Sequence, residues 1–244
     1  MNKFLGKAAI LAAVSVSAMG LTSTMSMADG FQPYISVFAG GSLANDVNGG
    51  DYYNYIPYYG GAQRISGAAS LLPPVRNAAK GGSTYYGSIK SNLGYMAGIA
   101  MGAKVNDAIR LEMEFSHSGN ALDKIVFTTG ASTKLNGTLG VTYLLGNMWV
   151  DIPTHSAVTP YFGGGIGLGW ANITSDQFNA TQNGTSFAYQ LGGGLGYAVN
   201  DHVTLDIGYR FKGLTNAKFD TTNNYFVDGP VTSHNVLVGL RYQF

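Results

Sequence analysis

Six ionisable residues hold most of the chemistry this sequence could offer, and they fall at period two. Arg110, Glu112 and Glu114 alternate with Leu111 and Met113, Asp206 and Arg210 lie four residues apart, and Arg241 sits between Leu240 and Tyr242. In a strand, residues two or four apart share a face. Each charge is therefore presented opposite an apolar row. Charges taken out of water must be paired, and the three acids here match the three bases. The pattern reads as a salt-bridged interior, with a charged pore lining as the alternative.

Other motifs are weaker. In His117-Ser118-Gly119-Asn120 the base and the nucleophile are adjacent, so a strand would point them to opposite faces. His155, His202 and His234 are isolated and lack metal-ligand spacing. Gly163-Gly164-Gly165-Ile166-Gly167 fits neither phosphate-loop spacing. Its expected role is steric, making room for Tyr161, Arg210 and Arg241. No cofactor, metal or catalytic set is assigned.

The elements that would position the charges are strands. Eight stretches alternate apolar and polar or small residues: 34–43, 93–105, 109–117, 134–149, 158–172, 187–199, 203–211 and 235–244. Within 134–149, Leu135, Leu139, Val141, Tyr143 and Leu145 are expected on the lipid side. The connections alternate long and short. Long ones are expected at 44–92, 119–133, 173–186 and 212–232. Short ones contain Asn106-Asp107, Pro153 and Asn200-Asp201. Short turns at one end, long loops at the other and an even strand count are the rule for transmembrane barrels. Aromatics collect at both ends as interfacial girdles. Tyr95, Phe115, Trp170, Phe187, Tyr189, Tyr209 and Phe211 are expected at the outer one. Trp149, Phe162, Tyr197, Tyr242 and Phe244 are expected at the inner one.

Composition agrees. Charged residues make up 11% of the chain, and there are 35 Gly, 16 Tyr, 12 Phe and no Cys; soluble domains carry roughly 25% charge. Residues 1–28 read as a signal peptide: Lys3 and Lys7, a short apolar run, then Ser26-Met27-Ala28. Without those lysines, 12 basic residues face 13 acidic ones, a net charge of −1, and nothing points to nucleic acid. Residues 29–244 form one all-β domain, an eight-stranded antiparallel up-and-down transmembrane β-barrel.

On these features the chain resembles the eight-stranded outer-membrane β-barrel superfamily, the OmpA/OmpX-like barrels and porin-like surface antigens of Gram-negative bacteria. The matching residues are the signal peptide, Thr159-Pro160-Tyr161, Arg110-Leu111-Glu112 and the Phe244 ending. The resemblance implies a monomer in the outer membrane, in contact with its lipid. It also implies that Val236, Val238, Leu240, Tyr242 and Phe244 are read by the barrel-assembly machinery. The expected function is structural, adhesive or antigenic, with a host or surface ligand met through the Tyr-rich 44–92 loop. One alternative is a narrow porin-like channel. Another is a lipid A-modifying enzyme, because His117-Ser118 is similar to the His-x-Ser-Asn site of lipid A deacylases, from which it departs by lacking the intervening residue.

Overall fold

The computed structural model describes residues 32–51, 85–127, 130–175, 179–182, 185–221 and 225–244. The signal segment lies outside the described residues, as do Tyr52, Tyr53, Tyr55, Tyr58 and Tyr59 of the first loop.

Among the described residues, eleven strands form one antiparallel sheet. They are β1 (Gln32–Ala44), β2 (Val47–Asp51), β3 (Tyr85–Ser91), β4 (Leu93–Lys104), β5 (Ile109–Phe127), β6 (Ser132–Asp151), β7 (Val158–Ser175), β8 (Asn179–Gln182), β9 (Ser186–Ala198), β10 (Val203–Thr221) and β11 (Tyr225–Gln243). Eight of them close a ring in the order β1, β4, β5, β6, β7, β9, β10, β11, and β11 returns to pair with β1. The closing register runs from Tyr34 opposite Gln243 to Ala44 opposite Ser233. Closure leaves this ring without a free edge, which a bilayer requires because nothing there can satisfy exposed backbone groups.

Two tight turns are built alike. The Asn106 side-chain oxygen accepts from the amides of Ala108 (2.9 Å) and Ile109 (2.8 Å). The Asn200 side-chain oxygen accepts from those of His202 (2.9 Å) and Val203 (2.8 Å). Such Asx turns explain why Asn-Asp begins both hairpins. They lie at the same end of the ring as the 152–157 connection and residue 244. By the topology rule this end is periplasmic.

Among the described residues, most of the expected long-loop sequence is strand. β5 and β10 run on to Phe127 and Thr221, while β6 and β11 begin at Ser132 and Tyr225. Between β5 and β6, Gly130 takes a φ of 85°, in the left-handed region. Both ends of the first loop join the wall. β2 pairs with β3 and β11, and β3 pairs with β5. The period-two pattern fades in these stretches because water bathes their outer face, so no unbroken apolar row marks them.

One facing assignment is overturned. Leu135, Leu139, Val141, Tyr143 and Leu145 of β6 point into the barrel and are buried, as is Trp149. Residues outside them on β6 include Leu144, Met148 and Val150 lower down and Asn136, Thr138 and Thr142 higher up. The cause is a change of surroundings along the barrel axis. Up to the level of His117, Thr142 and Trp170, which lie side by side across β5, β6 and β7, the outer face is apolar and the inner face carries the ionic groups, with Tyr143, Leu145 and Trp149 packed among them. Leu111, Met113, Phe115, Phe162, Ile166 and Leu168 project there into lipid. Above that level the sense inverts. Leu122, Leu135, Leu139, Ile173, Leu214 and Val231 fill the interior as an apolar core, and Asn136, Thr138, Asn172 and Thr174 face water.

Replacing residues 52–84 with a short turn is expected to leave the fold intact. Asp51 and Tyr85 are already partners in the β2–β3 register, and loop-closure cost changes slowly with length. Removing β2 and β3 as well would strip wall from β5 and β11. A gel-shift assay for the heat-resistant folded band should separate the two deletions.

Candidate functional site

The ionic residues meet in the lower half of the interior. β5 is third and β10 seventh in the ring of eight, so they stand on opposite sides. From β5 the fully buried Glu114 reaches across. Its Oε2 accepts from Arg210 Nη1 at 2.6 Å, and its Oε1 accepts from Lys212 Nζ. It also accepts from the Ser116 hydroxyl (2.7 Å), Asn147 Nδ2 (3.0 Å) and Gln190 Nε2 (2.9 Å). One carboxylate thus ties β5 to β6, β9 and β10.

Below it, Glu112 accepts from the Tyr34 hydroxyl (3.0 Å), Asn147 Nδ2 (3.0 Å) and Trp149 Nε1 (3.2 Å). Trp149 therefore belongs to the interior network and not to the inner girdle. Arg110 pairs with Asp151 on the neighbouring strand, Nη2 to Oδ1 at 2.8 Å. Arg241 lies 3.5 Å from Asp206. Aromatic faces complete the packing. The Arg210 guanidinium lies over Phe38 at 4.5 Å and over Trp149 at 5.0 Å, and Arg110 lies over Tyr161 at 5.0 Å. Glycines give these groups room: a Cβ at Gly194 or Gly208 would sit 2.8 Å from the Tyr161 hydroxyl.

The structure thus brings Arg110, Glu112, Glu114, Asp206, Arg210 and Arg241 into one interior. It adds two partners that the sequence reading missed, Lys212 and Asp151. Lys212 follows by two Arg210, which that reading does place inside; Asp151 follows by two Trp149, which it places at the inner girdle. The observed strands run further than the alternation predicts, to Asp151 on β6 and past Lys212 on β10.

His117 and Ser118 do point to opposite faces. Ser118 is buried inside, while His117 faces out and its Nδ1 lies 2.9 Å from the Thr142 hydroxyl. Among the described residues no three His, Asp or Glu side chains converge as a metal set. At the C-terminus, Val236, Val238, Leu240, Tyr242 and Phe244 are exposed on the lipid side. The Phe244 amide donates to the Pro33 carbonyl at 3.1 Å, and its ring meets Tyr242 edge-on with centroids 5.4 Å apart.

A closed antiparallel ring, apolar outside and charged within at membrane depth, defines a transmembrane β-barrel of the outer-membrane class. The chain belongs to the outer membrane protein beta-barrel domain family, whose profile matches residues 8–244. It is an outer-membrane protein. It is 23% identical over 175 residues to outer membrane protein PagN of Salmonella typhimurium, covering 60% of this chain and 72% of that one. It is 27% identical over 173 residues to a Rickettsia conorii protein named as a candidate adhesin, covering 64% and 70%. Among solved structures it is similar in fold to Neisserial surface protein A. That match has a TM-score of 0.51 and 19% identity, and covers 88% of this chain and 100% of that one.

Proposed function

We propose that this barrel works by contact at the cell surface, as an adhesive or antigen-displaying protein, and neither conducts solutes nor catalyses a reaction. The observation that carries the reading is that the ring is filled along its length. The ion network occupies the lower half and the apolar core the upper. Among Arg110, Glu112, Tyr161, Asp206, Arg210 and Arg241 there remains a cavity of about 20 Å3, room for about one water molecule. The wall meanwhile continues above the membrane and carries β2 and β3, which flank residues 52–84. Similarity to a candidate adhesin supports the same reading. Against catalysis, the Ser118 hydroxyl faces the interior, away from His117.

The test is adhesion. Bacteria expressing the barrel should bind cultured epithelial cells more than the parent strain does, and a variant with 52–84 shortened to a turn should lose that gain. Full adhesion by the shortened variant would move the contact elsewhere. In a planar bilayer the purified protein should give no unitary conductance steps; regular steps would favour the narrow-channel alternative.

The C-terminal strand has a proposed second role, as the segment read during assembly. In the finished barrel Phe244 is one exposed aromatic, worth at most about 1.5–3 kcal/mol. Deleting it is expected to deplete the protein strongly from the outer membrane of cells, while protein refolded into lipid loses little stability. Normal abundance in cells would remove the assembly role.

A further inference from the structure

The β2–β3 hairpin is joined to the barrel more loosely than the strands it continues. β1 pairs with β4 rung by rung, from Gln32 opposite Lys104 to Leu43 opposite Leu93. β2 pairs with β3 from Val47 opposite Ile89 to Asp51 opposite Tyr85. Among the described residues no rung forms between those two blocks. The break falls at Asn45-Asp46 on one leg and at Asn92 on the other. Both legs are pinned to the wall at the break. The Asn45 amide donates to the Thr232 carbonyl on β11, and the Asn92 amide donates to the Ala121 carbonyl on β5, each at 2.8 Å. Asn45 Nδ2 also donates to the Thr232 hydroxyl at 2.8 Å.

Above the pins the two sides of the hairpin differ. β3 keeps β5 from Ser91 opposite Leu122 to Gly87 opposite Phe127, across one bulge. β2 meets β11 at two rungs, Gly50 opposite Phe226 and Asp51 opposite Tyr225. Between those rungs and the Asn45 pin lies the β11 stretch with Pro230, which has no N–H to give a ladder. The far wall shows the contrast, for β6 and β7 stay paired from Asp151 opposite Tyr161 to Gly137 opposite Ser175 with no shift. Side chains supply the remaining hold. Val47 and Ile89 are buried in one apolar cluster with Leu122. Lys90 pairs with Asp46 across the break, but both side chains are partly exposed, and exposed ion pairs hold weakly. A segment with a short ladder and few buried contacts opens locally at lower cost than the whole fold.

We propose that β2 and β3 form a hinged flap, which lifts as one unit while the membrane-depth ring stays intact. It turns at Asn45-Asp46 and at Asn92 and parts first along its short seam with β11. Lifting uncovers the apolar interior around Leu122 and moves the base of the first loop outward. The flap is a property of the wall and does not depend on the adhesion reading.

The test is residue-resolved amide hydrogen exchange of the full mature protein in lipid nanodiscs. The amides of β2 and β3 should exchange as one group, faster than those of β4 and with a weaker dependence on urea. Lys90→Ala should speed that group about two- to fivefold, the usual worth of an exposed ion pair, and leave β4 unchanged. The chain has no Cys, so Asp51→Cys with Tyr225→Cys places a single disulfide across the last rung of the seam. Residues directly opposite one another in an antiparallel pair are within disulfide reach. Oxidation should slow the whole group toward the β4 rate, and reduction should restore it. Exchange that is fast at Asp51 and Tyr85 but slow at Val47 and Ile89 would mean fraying from the tip and would overturn the proposal. So would exchange of β2 and β3 at the β4 rate, or a group rate that oxidation leaves unchanged.

Discussion

Glu114→Ala is expected to cost about 3–5 kcal/mol of unfolding free energy, the largest loss from any single truncation in the interior. The reason lies in how many groups converge on this one carboxylate. Arg210 and Lys212 both donate to it, and Lys212 is itself fully buried. Truncation would leave two cations facing each other across the space the carboxylate filled. It would also release Asn147 and Gln190, which are themselves linked at 2.5 Å. Arg110 and Arg241 pair with acids on adjacent strands, where the backbone ladder already holds the geometry. The Glu114 pairs span the ring, so they brace opposite walls.

Urea unfolding in lipid vesicles, followed by tryptophan fluorescence, measures the cost. Trp149 is a suitable reporter because it lies in the network, under Arg210. Glu114→Gln should fall between parent and Ala, since it keeps the shape and some hydrogen bonds but not the charge. Combining Glu114→Ala with Lys212→Met should recover part of the loss, because one orphaned charge disappears. A cost below about 1 kcal/mol for Glu114→Ala, no more than an average substitution, would mean that water enters and satisfies the cations. The closed-interior reading would then fail.

The membrane-depth half of this barrel was legible in the sequence because lipid outside and charge inside produce a strict alternation. The facing of Arg110, Glu112, Glu114, Asp206, Arg210 and Arg241 follows from period two, as does the lipid face ending in Tyr242 and Phe244. The paired Asn turns were equally plain. What could not be read was which acid meets which base. Period two gives a face, and partner choice depends on ring closure, which sets β5 opposite β10. The upper half misled because on β6 the alternation continues while its meaning reverses. Water replaces lipid outside, so Leu135, Leu139 and Val141 of β6 belong within, while Tyr143 and Leu145 pack inside beside Ser116 and Glu114. One exception carried the clue. Met96 breaks its strand's pattern by placing an apolar residue in the polar phase, and it lies opposite Ser118, in the apolar cluster with Leu139 and Leu214. Leu237, the other exception, lines the small cavity of the ionic half.

That reversal is tested by Leu139→Arg. On a lipid-facing midplane position such a charge costs roughly 2–4 kcal/mol, and Leu205→Arg, exposed on β10 within the belt, should behave so. Leu139 is fully buried among apolar residues above the belt. Arg there loses the packing of a core leucine and gains a charge with no acid in the surrounding cluster. The expected cost is about 3–5 kcal/mol or failure to fold, as for an unpaired buried charge. Its neighbour Thr138, one residue away and exposed, should accept Arg within about 0.5 kcal/mol. The solvent dependence separates the two mechanisms. The Leu205→Arg penalty arises from the bilayer and should shrink in short-chain detergent micelles, where the charge reaches water. The Leu139→Arg penalty arises from the protein interior and should be the same in both. A costly Thr138→Arg beside a tolerated Leu139→Arg would put the β6 leucines back on the lipid side. A Leu139→Arg penalty that vanished in detergent would place the membrane boundary above His117, Thr142 and Trp170.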